Sequence, residues 1–232
     1  MLKALALALF TLAAPFALAP AALADDLRGT GDLGLIVERE AGSLLVVDRS
    51  ERAAIGRIEG LGDLSHASLV YSPDERFAYV FGRDGGLTKV DILTQKIVKR
   101  VVQGGNSIGG AISDDGKLVA VSNYEPGGVK VFDAETLDLV ADVPMGSKTV
   151  GIADVPGARF AVATWDTGEV WLLDHSVDPA TPVITKLQGI GANPYDALLT
   201  GDGRTYIVGL FGEKGLTAVD LWQDPPKVTR FL

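Results

Sequence analysis

The sequence predicts an all-β protein built as a β-propeller, with about five blade units in the chain. Three observations carry that prediction. A stretch with an apolar approach, a tight turn and an apolar strand begins at Tyr71, Ile112, Asp154 and Leu199, with intervals of 41, 42 and 45 residues. A strand ending in aspartate recurs at Asp48, Asp91, Asp133, Asp174 and Asp220, with intervals of 43, 42, 41 and 46 residues. Each repeat divides into four short apolar segments separated by turn residues, and four-stranded units at a period in the forties are propeller blades. A helical solenoid would need amphipathic runs with a 3.6-residue period, which are missing; a β-sandwich is the competing architecture.

The elements follow in order. Lys3, an uncharged apolar run over residues 4–18 and the small-residue pattern Ala22-Leu23-Ala24 form a secretory signal, with cleavage expected after Ala24. Pro15 and Pro20 and the shortness of the run argue against a transmembrane anchor. The first unit (33–63) has strands at 33–38, 43–48 and 54–58 and lacks the first strand of a blade. The second (64–104) has all four, at 67–72, 77–82, 87–91 and 97–102, divided by Pro73-Asp74, Asp84-Gly85-Gly86 and Leu93-Thr94-Gln95. Units at 105–146, 147–191 and 192–232 repeat the scheme, and the last ends on a fourth strand at 227–232. This phase suggests the N-terminal part of a larger ring. An arc of that kind leaves two blade faces uncovered, which favours homo-oligomer formation.

Composition narrows the function classes. The 232-residue chain has no cysteine and two histidines, so a structural zinc site, a covalent c-type haem and a lipid-anchoring cysteine are excluded, and no metal site of its own is expected. With 30 acidic and 21 basic residues and a net charge of −9, nucleic acid is not an expected partner. Export without disulfides points to a periplasmic protein with no membrane anchor.

In a propeller the connections leading into each blade and the loops between second and third strands share one face, around the channel mouth. Here they would gather Ser65, His66, Asn106, Ser107, Lys148, Thr149, Asn193 and Tyr195, together with Arg83, Tyr124, Glu125, Trp165, Asp166, Phe211, Glu213 and Lys214. Aromatic, cationic and amide groups around one opening suit a flat ligand bearing carboxylates. Two residues break the repeat. His66 stands where the other units have Ser107, Thr149 and Pro194, and an imidazole can ligate iron or move protons; a capped or solvated loop histidine is the alternative. Asp154 replaces the bulky Tyr71, Ile112 and Leu199 on an innermost strand, which is costly unless the carboxylate is paired or used; serving the Pro156-Gly157 turn is the alternative. The glycine-rich 104–110 segment lacks the lysine and helix of a phosphate loop and reads as an inter-blade turn. His175 falls on the face away from the mouth and reads as structural or solvated.

The exported start, the segment from Gly31 to Arg39, the segment from Leu64 to Asp74 and the segment from Val121 to Val129 together resemble the NirF family of haem d1 biosynthesis proteins, which is related to the d1-binding, eight-bladed propeller of cytochrome cd1 nitrite reductase. The likeness covers essentially the whole chain beyond the signal. It implies an eight-bladed propeller when complete, a d1-type tetrapyrrole (haem d1 or its precursor) as ligand or substrate, and a late side-chain modification with dehydrogenation as one candidate. It also implies a functional histidine and aspartate near the ligand, matched by His66 and Asp154 and expected to share one axial cavity: His66 as axial iron ligand or acid/base, Asp154 as proton acceptor or orienter. Arg83, Asn106, Tyr124, Lys148, Trp165 and Tyr195 are the expected ligand contacts. Other haem d1 maturation proteins and cd1 nitrite reductase are the partners implied. Family members with a lipid-anchoring cysteine exist, and this chain departs from them. A non-catalytic carrier and a generic periplasmic propeller for protein contacts remain as alternative readings.

Overall fold

The computed structural model describes residues 30–231; the expected signal segment and its cleavage point lie outside the described residues. Among the described residues nineteen strands form five antiparallel sheets, each in simple sequence order. The first sheet has only β1 (Leu33–Glu38), β2 (Ser43–Asp48) and β3 (Ala53–Ile58). The second holds β4 (Ser68–Tyr71), β5 (Phe77–Phe81), β6 (Gly86–Asp91) and β7 (Lys96–Val102). The third holds β8 (Asn106–Ile112), β9 (Leu118–Glu125), β10 (Val129–Asp133) and β11 (Leu139–Val143). The fourth holds β12 (Thr149–Val155), β13 (Arg159–Thr164), β14 (Glu169–Asp174) and β15 (Val183–Leu187). The fifth holds β16 (Pro194–Leu199), β17 (Thr205–Leu210), β18 (Leu216–Asp220) and β19 (Lys227–Phe231). The opening strands β4, β8, β12 and β16 contact one another in series, which makes them the inner edge of a radial array.

The core lies between sheets, and the two-residue period of each strand supplies both of its walls. On β5, Val80 joins Leu44, Val46, Leu61 and Leu64 toward the first sheet, while Tyr79 and Phe81 join Val119, Val121 and Phe132 toward the third. On β9, Val119 and Val121 face the second sheet, whereas Leu118 and Ala120 pack with Phe160, Val162 and Leu173 of the fourth. On β13, Ala161 and Ala163 turn the other way, onto Tyr206, Val208 and Val219 of the fifth.

Both sequence markers have a hydrogen-bonding cause. The aspartate ending each third strand accepts a backbone N–H from the following turn: Glu51 N to Asp48, Thr94 N to Asp91, Thr136 N to Asp133, Ser176 N to Asp174 and Trp222 N to Asp220. The turn between first and second strands is closed by a hydroxyl that donates to the aspartate two residues on and accepts from the start of the second strand. Ser72 does this with Asp74 and the Phe77 N–H, Ser113 with Asp115 and the Leu118 N–H, and Thr200 with Asp202 and the Thr205 N–H. The fourth sheet has no such hydroxyl, and the Gly157 and Ala158 N–H groups donate instead to Asp114 of the third sheet, at 3.1 and 3.2 Å.

One element differs from expectation. The glycine-rich segment read as an inter-blade turn is mostly strand, because β8 starts at Asn106 and leaves only Gly104 and Gly105 in the turn. Gly110 is required inside that strand, since an added Cβ would overlap the Phe81 ring.

Phe160 is fully buried between the third and fourth sheets and packs edge-on against His175, whose ring Nδ1 lies 2.7 Å from the Pro179 carbonyl oxygen. Phe160→Ala should cost about 3–5 kcal/mol of unfolding free energy in urea titration. Val177→Ser, at an 86% exposed position, should stay within about 0.5 kcal/mol of the parent.

Candidate functional site at the channel mouth

The residues that open the innermost strands have two kinds of job. Thr149 is fully buried and staples its strand to the third sheet: its Oγ1 accepts from the Asn123 N–H at 2.9 Å and lies 2.7 Å from the Gly128 carbonyl. Ser107, also fully buried, accepts from Gln103 Nε2 at 2.7 Å. His66 occupies the equivalent place without that commitment. Its ring is partly exposed, makes no hydrogen bond among the described residues, and borders open space on two sides.

The first of these spaces is a mouth cavity of about 320 Å³ lined by His66, Arg83, Asn106, Ile108, Tyr124, Trp165, Tyr195 and Phe211. All the expected ligand contacts except Lys148 therefore meet in one cavity. Lys148 stands at its rim, with Nζ 5.1 Å from the Tyr124 ring centroid and 3.6 Å from Asp166 Oδ1. Trp165, Tyr195 and Phe211 form a mutually packed trio with centroid separations of 5.6, 5.3 and 5.9 Å. Phe211 is 73% exposed, so the trio offers an uncovered aromatic face. The Asn106 side-chain oxygen is buried and has no hydrogen-bond partner among the described residues, which leaves an acceptor for a ligand donor. A stacking face, an imidazole, cations and a spare acceptor fit a flat, carboxylate-bearing macrocycle.

The second space, about 310 Å³, continues into the channel and shares His66, Ile108 and Tyr195 with the first. It adds Arg39, Ser68, Gly109, Gly151 and Asp196. Arg39 and Asp196 were not singled out from the sequence, although simple signals mark both. Arg39 lies between second and third strands of the first unit, as Arg83 does in the second; Asp196 follows Pro194 by two residues, where the other units have Ser68, Gly109 and Gly151.

The inner strands are locally irregular where they border this space. Pairing slips by one residue between Ser107 and Gly109 on β8, between Thr149 and Ile152 on β12, and between Pro194 and Ala197 on β16. Such bulges re-aim side chains, and the one on β16 carries both Tyr195 and Asp196.

The structure does not bring Asp154 to His66. Asp154 lies five residues beyond Thr149 on β12, roughly 17 Å along an extended strand, and lines neither cavity. Its surroundings are those of the opposite face. Burial raises its carboxyl above the ordinary range, and the charge of Asp114 adds to the shift. Nor does it serve the Pro156-Gly157 turn, whose N–H groups donate to Asp114. The expectation of a common cavity failed because an innermost strand runs the full depth of the channel, so membership of the strand does not fix which end a residue occupies.

The profile of the Cytochrome D1 heme domain family matches residues 28–230. The chain belongs to that family. It is 58% identical to Protein NirF of Stutzerimonas stutzeri over 96% of this chain and 59% of that protein. It is 56% identical to Protein NirF of Pseudomonas aeruginosa over 89% of this chain and 54% of the relative. The resemblance to the NirF family noted in the sequence thus extends over nearly all of the chain, which spans 54–59% of the length of these relatives. Among solved structures, dihydro-heme d1 dehydrogenase NirN in complex with DHE superposes with a TM-score of 0.73 at 26% identity, covering 88% of this chain and 44% of that one. The propeller is therefore of the d1 type. Among the described residues no helix is long and apolar enough to cross a membrane.

The raised carboxyl of Asp154 yields a pH test. A group whose folded-state pKa exceeds its unfolded value costs nothing while both states are protonated, and destabilises progressively as pH rises and ionisation is demanded. Asp154→Asn should therefore be more stable than the parent near neutral pH, with the gain vanishing below the ordinary carboxyl value of 3.8. Urea titrations at several pH values measure this, and a gain that grows on acidification contradicts it.

Proposed function

We propose that the chain holds a d1-type tetrapyrrole, haem d1 or its precursor, in the mouth cavity, and that it serves haem d1 biosynthesis in the periplasm through a late modification of the macrocycle's side chains. The observation that carries this reading is the convergence of His66, Arg83, Asn106, Tyr124, Trp165 and Tyr195 on one cavity. The aromatic trio supplies a stacking surface, Arg83 and Lys148 supply charge-assisted donors for carboxylates, and His66 supplies an axial ligand or an acid/base. When bound, the tetrapyrrole iron supplies the redox chemistry; the protein's part is to orient the ring, limit water and hold a proton at the imidazole. The NirF relatives support the biosynthetic role, and the NirN likeness supports dehydrogenation as the reaction to test first.

A second reading, a carrier that passes the tetrapyrrole to later maturation proteins or to cd1 nitrite reductase, is favoured by one observation. The aspartate expected to act as acid/base does not line the cavity.

Titration with haem d1, followed in the Soret region, tests the shared part of both readings. The parent protein should shift the band; His66→Ala should remove the component due to axial ligation while near-UV circular dichroism stays native; Asp154→Asn should bind as the parent does. An unshifted band with the parent protein overturns tetrapyrrole binding and leaves a propeller for protein contacts. If Asp154→Asn binds normally yet abolishes cofactor production in a complemented strain, the enzyme reading is supported; normal production supports the carrier.

A further inference from the structure

The channel cavity is electrically lopsided. Arg39 comes from the first sheet and Arg83, at the adjoining mouth, from the second; neither guanidinium forms a direct ion pair among the described residues, although Arg83 interacts at longer range with the charge of Asp63. The fifth sheet, at the other end of the arc, contributes Asp196 to the same cavity as Arg39 and His66. Three mouth carboxylates are neutralised where they stand. Asp166 faces Lys148 at 3.6 Å, Glu213 faces Arg230 at 2.6 Å, and Asp84 faces Arg100 at 2.5 Å. Asp196 lines the channel cavity and has no ion pair or hydrogen bond through its side chain among the described residues; Glu40, Glu59 and Glu125, which also lack such partners, are exposed and line neither cavity.

The placement of Asp196 is built rather than incidental. The equivalent positions, Ser68, Gly109 and Gly151, are small and uncharged, so the carboxylate is a departure within the repeat. It rides on the β16 bulge, and that bulge is seated on Gly151 of β12: a Cβ added at Gly151 would overlap the Tyr195 carbonyl oxygen. Backbone packing between two sheets therefore sets the carboxylate's position.

We propose that Asp196 is a specificity-determining residue that orients the macrocycle. A ligand carboxylate brought to the fifth-sheet side would lose water and meet a like charge, whereas one brought to the side of Arg39 and Arg83 gains a cation. The edge of the tetrapyrrole bearing carboxylates then faces the first two sheets, and the edge lacking them faces Asp196. Repulsion of this kind selects among binding poses that stacking alone leaves equivalent. The inference rests on the tetrapyrrole reading and goes beyond it, because it states which ring edge is refused and by which residue.

Two probes decide it on the full chain: haem b, whose propionates lie along one edge, and iron coproporphyrin, which has a carboxylate on every pyrrole ring. The parent protein should bind haem b more tightly than iron coproporphyrin by Soret titration. Asp196→Asn should shrink that preference by roughly five- to tenfold, the size expected for one unit charge acting across a partly hydrated cavity, mainly by improving coproporphyrin binding. Asp196→Glu, which keeps the charge, should retain most of the preference. A preference unchanged in Asp196→Asn, or lost equally in Asp196→Glu, overturns the proposal while leaving tetrapyrrole binding intact. A parent protein that binds neither probe overturns both.

Discussion

Everything in this structure depends on each sheet being apolar on both faces. A strand that alternates side chains between two neighbours can belong only to a stack, and β5, β9 and β13 all do so, with Tyr79 and Phe81 turned one way and Val80 the other. The core is consequently a series of walls between sheets, which leaves the axis free of packed side chains. That vacancy makes room for chemistry, because the inner strands are not required to meet.

The site follows from the same constraint. Once the sheets are fixed radially, the inner strands can relax at the mouth without weakening the core, and the register slips on β8, β12 and β16 are concentrated there. Irregular backbone at the mouth re-aims Tyr195 and Asp196 toward the axis, while Ser107 and Thr149 hold the neighbouring strands in place. His66, at the equivalent place, makes no such staple and borders both cavities. Rigid walls and an adjustable rim together account for a cavity lined by residues from four different sheets.

Much of this was legible in the sequence, for identifiable reasons. The aspartates at 48, 91, 133, 174 and 220 repeat because each closes a turn with its own carboxylate, so the marker is a local hydrogen bond written five times. The mouth residues were legible because loop position alone decides which face they join. Asp154 was misplaced because identity of strand was read without depth along it; counting from Thr149 puts it at the far end, and the same count from Pro194 puts Asp196 at the near end. Gly110 was read as a turn residue because its true role, admitting the Phe81 ring, is a long-range contact that local pattern does not record.

The loan of Asp114 to the turn of the next sheet has a consequence for modularity. Repeats that close their own turns can in principle be exchanged, duplicated or shuffled as self-sufficient cassettes. The fourth repeat cannot, because the N–H groups of Gly157 and Ala158 look to a donor-accepting group inherited from its predecessor. Third and fourth repeats therefore form a heritable pair, and a recombination joint placed between them would leave one hairpin without its clasp.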